Sequence, residues 1–199
     1  MAAAESEMKM RILLAAKKLF AKQGFDGTSV RQICEEAGAN VALVSYYFGG
    51  KENVFRALFE NFFPGQRMSE YETLLKDPVE GLRLLVTEVI MFGMEDIEFS
   101  TILQQELEMR SARTEIVTSF TAPIWRKARE LLEQGRAQGV FQFDSLDHAW
   151  MFVMGAALAH KKIINYASML SESELDPEQT ASQTVKYIFA AFRPSGTSA

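Results

Sequence analysis

Apolar residues recur along this chain at spacings of three and four, the pattern of helices with one buried face. No segment alternates as a strand does, and no internal repeat is present. A first helix is expected from about Ser6 to Gln23, with Ile12, Ala15, Ala16, Leu19 and Phe20 as its stripe. The residues before Ser6 are expected to fray, and Gly24 to stop the helix. Val30, Ile33, Cys34 and Ala37 then fall at i, i+3, i+4 and i+7, which predicts a short second helix. Thr28 is the expected cap, with Arg31 where a capping box would carry Glu or Gln. Gly38 ends that helix, since glycine enters the left-handed region freely. Asn40 caps a third helix. Val44 and Phe48 turn inward on it, leaving Val41, Ala42, Ser45 and Tyr46 on the outer face. Gly49 and Gly50 turn the chain into a fourth helix opened by Lys51, and Pro64-Gly65 interrupts it.

Farther on, Asp77-Pro78 pairs a capping residue with proline at the first helical position and starts a helix to about Met94. Helices are expected over about Ser100–Ser111, and over Thr114–Gln138 with Pro123 inside. A long one runs from a cap at Asp144 to about Leu170, and a last one starts at Asp176-Pro177. The tail RPSGTSA is expected to carry no regular structure. The expected class is all-α, with about nine helices. Residues 1–50 are expected to form a small three-helix domain, and residues 51–199 a larger helical one.

Small residues and tyrosines exposed on a short, braced helix suit a DNA major groove, where small side chains allow close approach to base edges. The same spacing also fits a plain helical hairpin whose tyrosines pack in a core. The wider sequence decides between them. Residues Lys9 to Phe59 carry ILLAAKKLFAKQGFDGTSVRQICEEAG and then NVALVSYYFGGKENVFRALF. The combination of Gly-Phe, Thr-Ser, Ala-Gly, Tyr-Tyr-Phe and Lys-Glu resembles the N-terminal domain of the TetR family of bacterial transcriptional regulators. That resemblance implies that Val41, Ala42, Ser45 and Tyr46 meet base edges, with Asn40 at the head of their helix. It implies that Thr28, Ser29, Arg31, Tyr47 and Lys51 hold phosphates. It also implies a homodimer on a pseudo-palindromic double-stranded DNA operator, acting as a repressor released by a small apolar effector.

The eleven-residue apolar run Ala149 to Ala159 is too short for a membrane span of ~20 residues, yet apolar on all sides. The family builds its dimer interface from four helices, two per subunit. The resemblance therefore implies Trp150, Gly155, Ala156 and Ala159, with Val185, Ile188 and Phe189, as the interface. An effector chamber is expected among Phe92, Gln104, Gln105, Met109, Phe120, Trp125 and Phe152. The same large residues also suit an ordinary core.

Composition narrows the rest. The chain has 199 residues, 48% hydrophobic and 24% charged, as in a globular protein. The single cysteine, Cys34, excludes an internal disulfide framework and fits a reducing cytosol, so a cytoplasmic, nucleoid-associated protein is expected. The N-terminus MAAAESEMKM lacks the apolar core of a secretory signal. The net charge of −5 is unevenly spread: residues 1–51 carry +2 and residues 52–199 carry −7. The basic excess coincides with the DNA-like motif. His148 and His160 lie twelve residues apart, about 120° around one helix, and do not converge. No hydrolase, phosphate-loop or paired-cysteine motif occurs, so no enzyme activity, metal or cofactor is expected. The alternative to an inducible regulator is a DNA-bound protein that works through a protein partner without any inducer.

Overall fold

The computed structural model describes residues 2–171 and 175–193. Among these residues there are ten α-helices and no strand: α1 (Ala2–Gln23), α2 (Val30–Ala37), α3 (Val41–Phe48), α4 (Lys51–Phe62), α5 (Pro78–Glu95), α6 (Ile97–Met109), α7 (Thr114–Ala137), α8 (Leu146–Leu158), α9 (His160–Ile163) and α10 (Pro177–Ala191). The expected all-α class holds. No helix of the described residues is long and apolar enough to cross a membrane. The tail from Pro194 onward lies outside the described residues.

The chain forms two compact units. One comprises residues 1–63 together with 97–120, the other residues 64–96 together with 121–199. The first unit thus takes in α6 and the opening of α7, far along the sequence from α1 to α4.

Its core is a run of aromatic rings. Phe20 meets Phe25 at 5.2 Å between centroids, and Phe25 meets Phe55 edge-on at 5.5 Å. Phe55 meets Phe59 at 5.1 Å, and Phe59 touches both Phe99 at 4.9 Å and Phe120 at 5.4 Å. Each such pair adds ~0.5–1.5 kcal/mol beyond burial. The run therefore bonds α1 and α4 to α6 and α7. Cys34 is buried in the same unit, as its place on the α2 face predicts.

Beside these rings lies a buried ion pair. Arg113, in the turn between α6 and α7, places Nε 3.1 Å from a Glu106 carboxylate oxygen, and the two side chains are only 9% and 4% exposed. The Ser111 hydroxyl donates to the same carboxylate. The Arg113 guanidinium also reaches Asp26 at 3.3 Å and Glu52 at 3.7 Å, and lies 3.9 Å from the centre of the Phe25 ring. One cation thereby joins the end of α6, the loop after α1 and the first turn of α4.

Several boundaries differ from the sequence reading. α1 begins at Ala2 and not near Ser6, because three alanines with Glu5 in the first turn favour helix up to the terminus. α6 starts at Ile97, earlier than Ser100. The cap of α8 is Ser145, which accepts from the His148 amide, and not Asp144. α8 does not run to Leu170. It tightens at Ala159, whose amide bonds the Ala156 carbonyl, and the chain continues as the short α9 and a 3₁₀ stretch over Ile164–Met169. Pro64 does break the chain after α4, and a 3₁₀ stretch follows to Tyr71. Asp77 caps α5 with bonds from the Val79 and Glu80 amides.

The second unit packs Leu82, Val86 and Ile90 of α5 against Leu131 and Leu132 of α7, Val153 and Ala157 of α8, and Val185 and Ile188 of α10. The Trp150 indole donates to the Trp125 carbonyl at 2.9 Å, which ties α8 to α7. At the α8–α9 break the His160 ring lies against Gly93. A Cβ at Gly93 would stand 2.4 Å from its Nε2. Burial and the neighbouring Lys161 push the His160 pKa down to about 4.

Two outcomes follow from this packing. Arg113→Met leaves Glu106 buried without its cation and is expected to cost ~3–5 kcal/mol, whereas Arg113→Met with Glu106→Leu recovers most of that loss. Urea titration of the three proteins decides this, and equal losses in single and double variants would remove the pair as the source. Below pH ~6.5 the unfolded chain protonates His160 while the folded chain does not, so stability falls as pH drops, until both forms are charged near pH 4. The difference between wild type and His160→Phe, followed by thermal unfolding from pH 7 to 4, should carry that slope.

Candidate nucleic-acid interface

The first unit builds its outward face on two capped helices and a tight turn. Ser29 is the N-cap of α2: its hydroxyl oxygen accepts from the Gln32 amide, and the Gln32 side chain accepts from the Ser29 amide. This closed capping box stands one residue later than the sequence reading placed it. Thr28 is buried instead, and its hydroxyl donates to the Gly24 carbonyl at 2.8 Å. The shift moves Gln32, not Arg31, into the box position. With Ser29 and Gln32 satisfied, the amides of Val30 and Arg31 remain as first-turn donors.

The turn depends on Gly38. Its φ of 62° is left-handed, and a Cβ there would meet the Arg11 guanidinium at 2.7 Å. Arg11 reaches in to donate to the Ala37 carbonyl, so α1 closes the C-terminus of α2. The Ala39 amide bonds the Cys34 carbonyl at 2.8 Å, completing the helix stop. Asn40 then caps α3, its side-chain oxygen accepting from the Ala42 amide at 2.9 Å.

α3 buries Val44 and presents Val41, Ala42, Ser45 and Tyr46 outward, with Tyr46 77% exposed. Tyr47 is half-buried. Its ring lies 5.2 Å from that of Tyr46, and the Lys9 ammonium stands 5.2 Å from its centre. Arg31 is exposed on α2 and held by Glu35 at 2.8 Å. Lys51 folds back into the unit, where its ammonium donates to the Phe25 and Thr28 carbonyls at 2.9 and 2.7 Å and lies 4.1 Å from the Phe25 ring centre. It locks the loop that leads into α2. Gly50, which precedes α4, offers no side-chain cap to the first amides of that helix.

Of the DNA-facing residues expected from the sequence, Ser29, Arg31, Asn40, Val41, Ala42, Ser45 and Tyr46 are exposed, and Tyr47 and Lys51 are partly buried. Lys9, Arg11 and Gln32 were not among them. Gln32 was legible as half of a Ser-x-x-Gln box; Lys9 and Arg11 act across the fold and left no local signal.

The expected effector residues divide between the units. Gln104, Gln105, Met109 and Phe120 belong to the first, where Met109 is 63% exposed and Gln105 donates to the Ala21 carbonyl. Phe92, Trp125 and Phe152 belong to the second, where Phe152 is 46% exposed and its ring stands 5.7 Å from Phe192. Of the expected interface residues, Val185 and Ile188 lie in the chain's own core, Gly155 and Ala159 are exposed, and Trp150, Ala156 and Phe189 are half-buried.

The chain is similar to several known proteins. The family of bacterial regulatory proteins called tetR matches residues 12–58, which span α2, α3 and most of α1 and α4. The transcriptional repressor NicS of Pseudomonas putida is 30% identical over 148 residues, 71% of this chain and 70% of that one. The crystal structure of HlyIIR, a hemolysin II transcriptional regulator, superposes with a TM-score of 0.75 at 29% identity, covering 96% of this chain and 99% of that one. FadR of Bacillus subtilis, solved in complex with stearoyl-CoA, shares the fold with a TM-score of 0.68 at 18% identity, over 92% and 99% of the two chains. The kinship with a repressor is too long to be confined to the helix-turn-helix, and the chain belongs to the TetR family of bacterial DNA-binding transcriptional regulators.

Proposed function

We propose that this regulator is a repressor that binds a pseudo-palindromic operator as a homodimer and leaves it when a small, mostly apolar molecule binds. The observation that carries this reading is the exposed face of α3, small except for Tyr46, on a helix fixed at both ends. In the groove, Val41 and Ala42 meet thymine methyl groups while Ser45 and Tyr46 meet base edges. The free amides at the starts of α2 and α4 receive phosphates, with Ser29, Arg31 and Tyr47 beside them. Lys51 serves this contact by holding the loop before α2 in place. With few bidentate donors on the face, specificity leans on Arg31 and on DNA shape.

In this reading residues 1–50 read DNA, and residues 51–199 receive the effector and the second subunit. The exposed Met151 and Phe152 of α8 and Tyr187 of α10 support an interface there, since apolar side chains at 46–64% exposure in a chain's own fold call for cover. The stearoyl-CoA bound by FadR supports an effector with a large apolar part. Such a molecule releases DNA only by binding the non-operator state more tightly than the operator-bound one.

Tyr46→Ala should weaken operator binding and relax sequence preference, while Lys51→Ala should weaken binding to every duplex alike. Fluorescence anisotropy with operator and random duplexes at several salt concentrations separates the two, and unchanged affinity in both variants would reject this face. Gly155→Leu tests the assembly. A Cβ at Gly155 meets nothing within 4 Å, so the single chain tolerates the change, and replacing a mid-helix glycine adds ~0.5–1 kcal/mol to it. Light scattering should show this variant shifted to monomer, with tight operator binding lost; a variant as dimeric as wild type would move the interface elsewhere.

A further inference from the structure

The turn between α6 and α7 is built to deliver one side chain. Arg110 holds a left-handed backbone there, with φ 49°, a conformation that costs any residue but glycine. The Ser111 hydroxyl donates to the Glu106 carboxylate and accepts from the Arg113 amide at 3.1 Å. The Thr114 hydroxyl donates to the Glu106 carbonyl at 3.0 Å. Arg113 is thereby aimed inward, and it lies well past residue 58, where the family match ends.

Its guanidinium meets three carboxylates, more than one charge needs. Its buried pair with Glu106 is weak evidence about stability, since an apolar pair of similar volume often stabilises as well. An apolar pair cannot reach the other two acids. Asp26 and Glu52 are exposed, at 69% and 62% of their side chains. Asp26 lies in the loop between α1 and α2, and Glu52 in the first turn of α4. Both flank the helix pair that is proposed to meet DNA, and an unpaired carboxylate there repels phosphate. An acid paired with a buried arginine is both neutralised and fixed in place.

The loop that Arg113 grips is the one that sets α2. Arg113 stacks on Phe25 and pairs with Asp26, the Thr28 hydroxyl ties back to the Gly24 carbonyl, and Ser29 caps α2. α2 carries α3 through the turn at Gly38. All of these residues belong to the first unit.

We propose that Arg113, with Glu106 as its buried anchor, is a positioning residue for operator recognition. Without itself touching the duplex, it sets the aim of α3 through Phe25, Asp26 and Glu52. This role rests on the reading that α3 enters the groove.

The probe is the duplex that wild-type protein enriches from a random-sequence pool, compared with a scrambled duplex by fluorescence anisotropy. Arg113→Met with Glu106→Leu leaves the net charge unchanged, and its urea midpoint identifies it as folded. Its preference for the enriched duplex should fall about tenfold or more, the size of one lost base contact. Asp26→Asn with Glu52→Gln leaves the buried pair intact. With two fewer negative charges it should bind the scrambled duplex more tightly, and yet lose preference in the same direction. Full preference in either folded variant would overturn the role; should the first not fold, the second decides alone. Tighter binding to both duplexes by one common factor would reduce the acids to a charge effect and overturn it too. Tyr46→Ala keeps the role apart from the reading on which it rests. Loss of preference in Tyr46→Ala with none in the other two variants would leave the α3 face standing and remove the positioning role. Loss in those two with none in Tyr46→Ala would keep the role and move the face elsewhere. A wild-type protein that enriches no duplex would remove both.

Discussion

The first unit depends on a charge that water does not reach. Glu106 and Arg113 sit at the end of α6 and in the turn after it, and neither would be stable there alone. Their pairing is strong only because the Ser111 hydroxyl and the Arg113 stacking on Phe25 complete the set. Through Asp26 and Glu52 the same guanidinium fixes the loop before α2 and the start of α4. Lys51 closes the other side of that loop through the Phe25 and Thr28 carbonyls. Phe25 thus has two cations within about 4 Å of its ring centre, at 3.9 and 4.1 Å. The aim of α3 rests on Gly38, Arg11 and this cluster together.

The helical class, the start of α5 at Asp77-Pro78, the stop at Gly38 and the outward face of α3 were legible in the sequence because each follows from local chemistry. Capping, glycine at positive φ and a 3.6-residue period all act within one or two turns. The misplacements have the same logic in reverse. Thr28 and Ser29 are both good caps, and only the tertiary burial of Thr28 decides between them. The long apolar run from Ala149 gave no sign of the break at Ala159, since the residues on both sides favour helix. Val185 and Ile188 read as interface from resemblance, but α5 and α8 already cover them.

The candidate site was less visible where it relies on distant partners. Nothing local in the sequence marks Glu106 for burial, because a carboxylate goes inside only with a partner, and Arg113 comes from beyond the helix end. Lys51 looked like a phosphate contact, because a lysine beside two glycines at a helix start gives no hint that two carbonyls will take its ammonium. Lys161 raises the opposite case: a half-buried basic side chain that meets no acid among the described residues. In both, the sequence shows a cation, and only the fold shows whether its charge is already spent.

The interleaving of the first unit bears on how such proteins exchange parts. A DNA-reading segment that ended at residue 50 would look portable between regulators. In this chain it would travel without Arg113, Glu106, Phe99 and Phe120, all of which lie in the returning stretch from 97 to 120. Phe25 would lose both of its cations, Lys51 and Arg113, and Asp26 its partner, while Glu52 and the rings of α4 would stay behind. Recombination can therefore keep this unit whole only by moving two separated pieces at once.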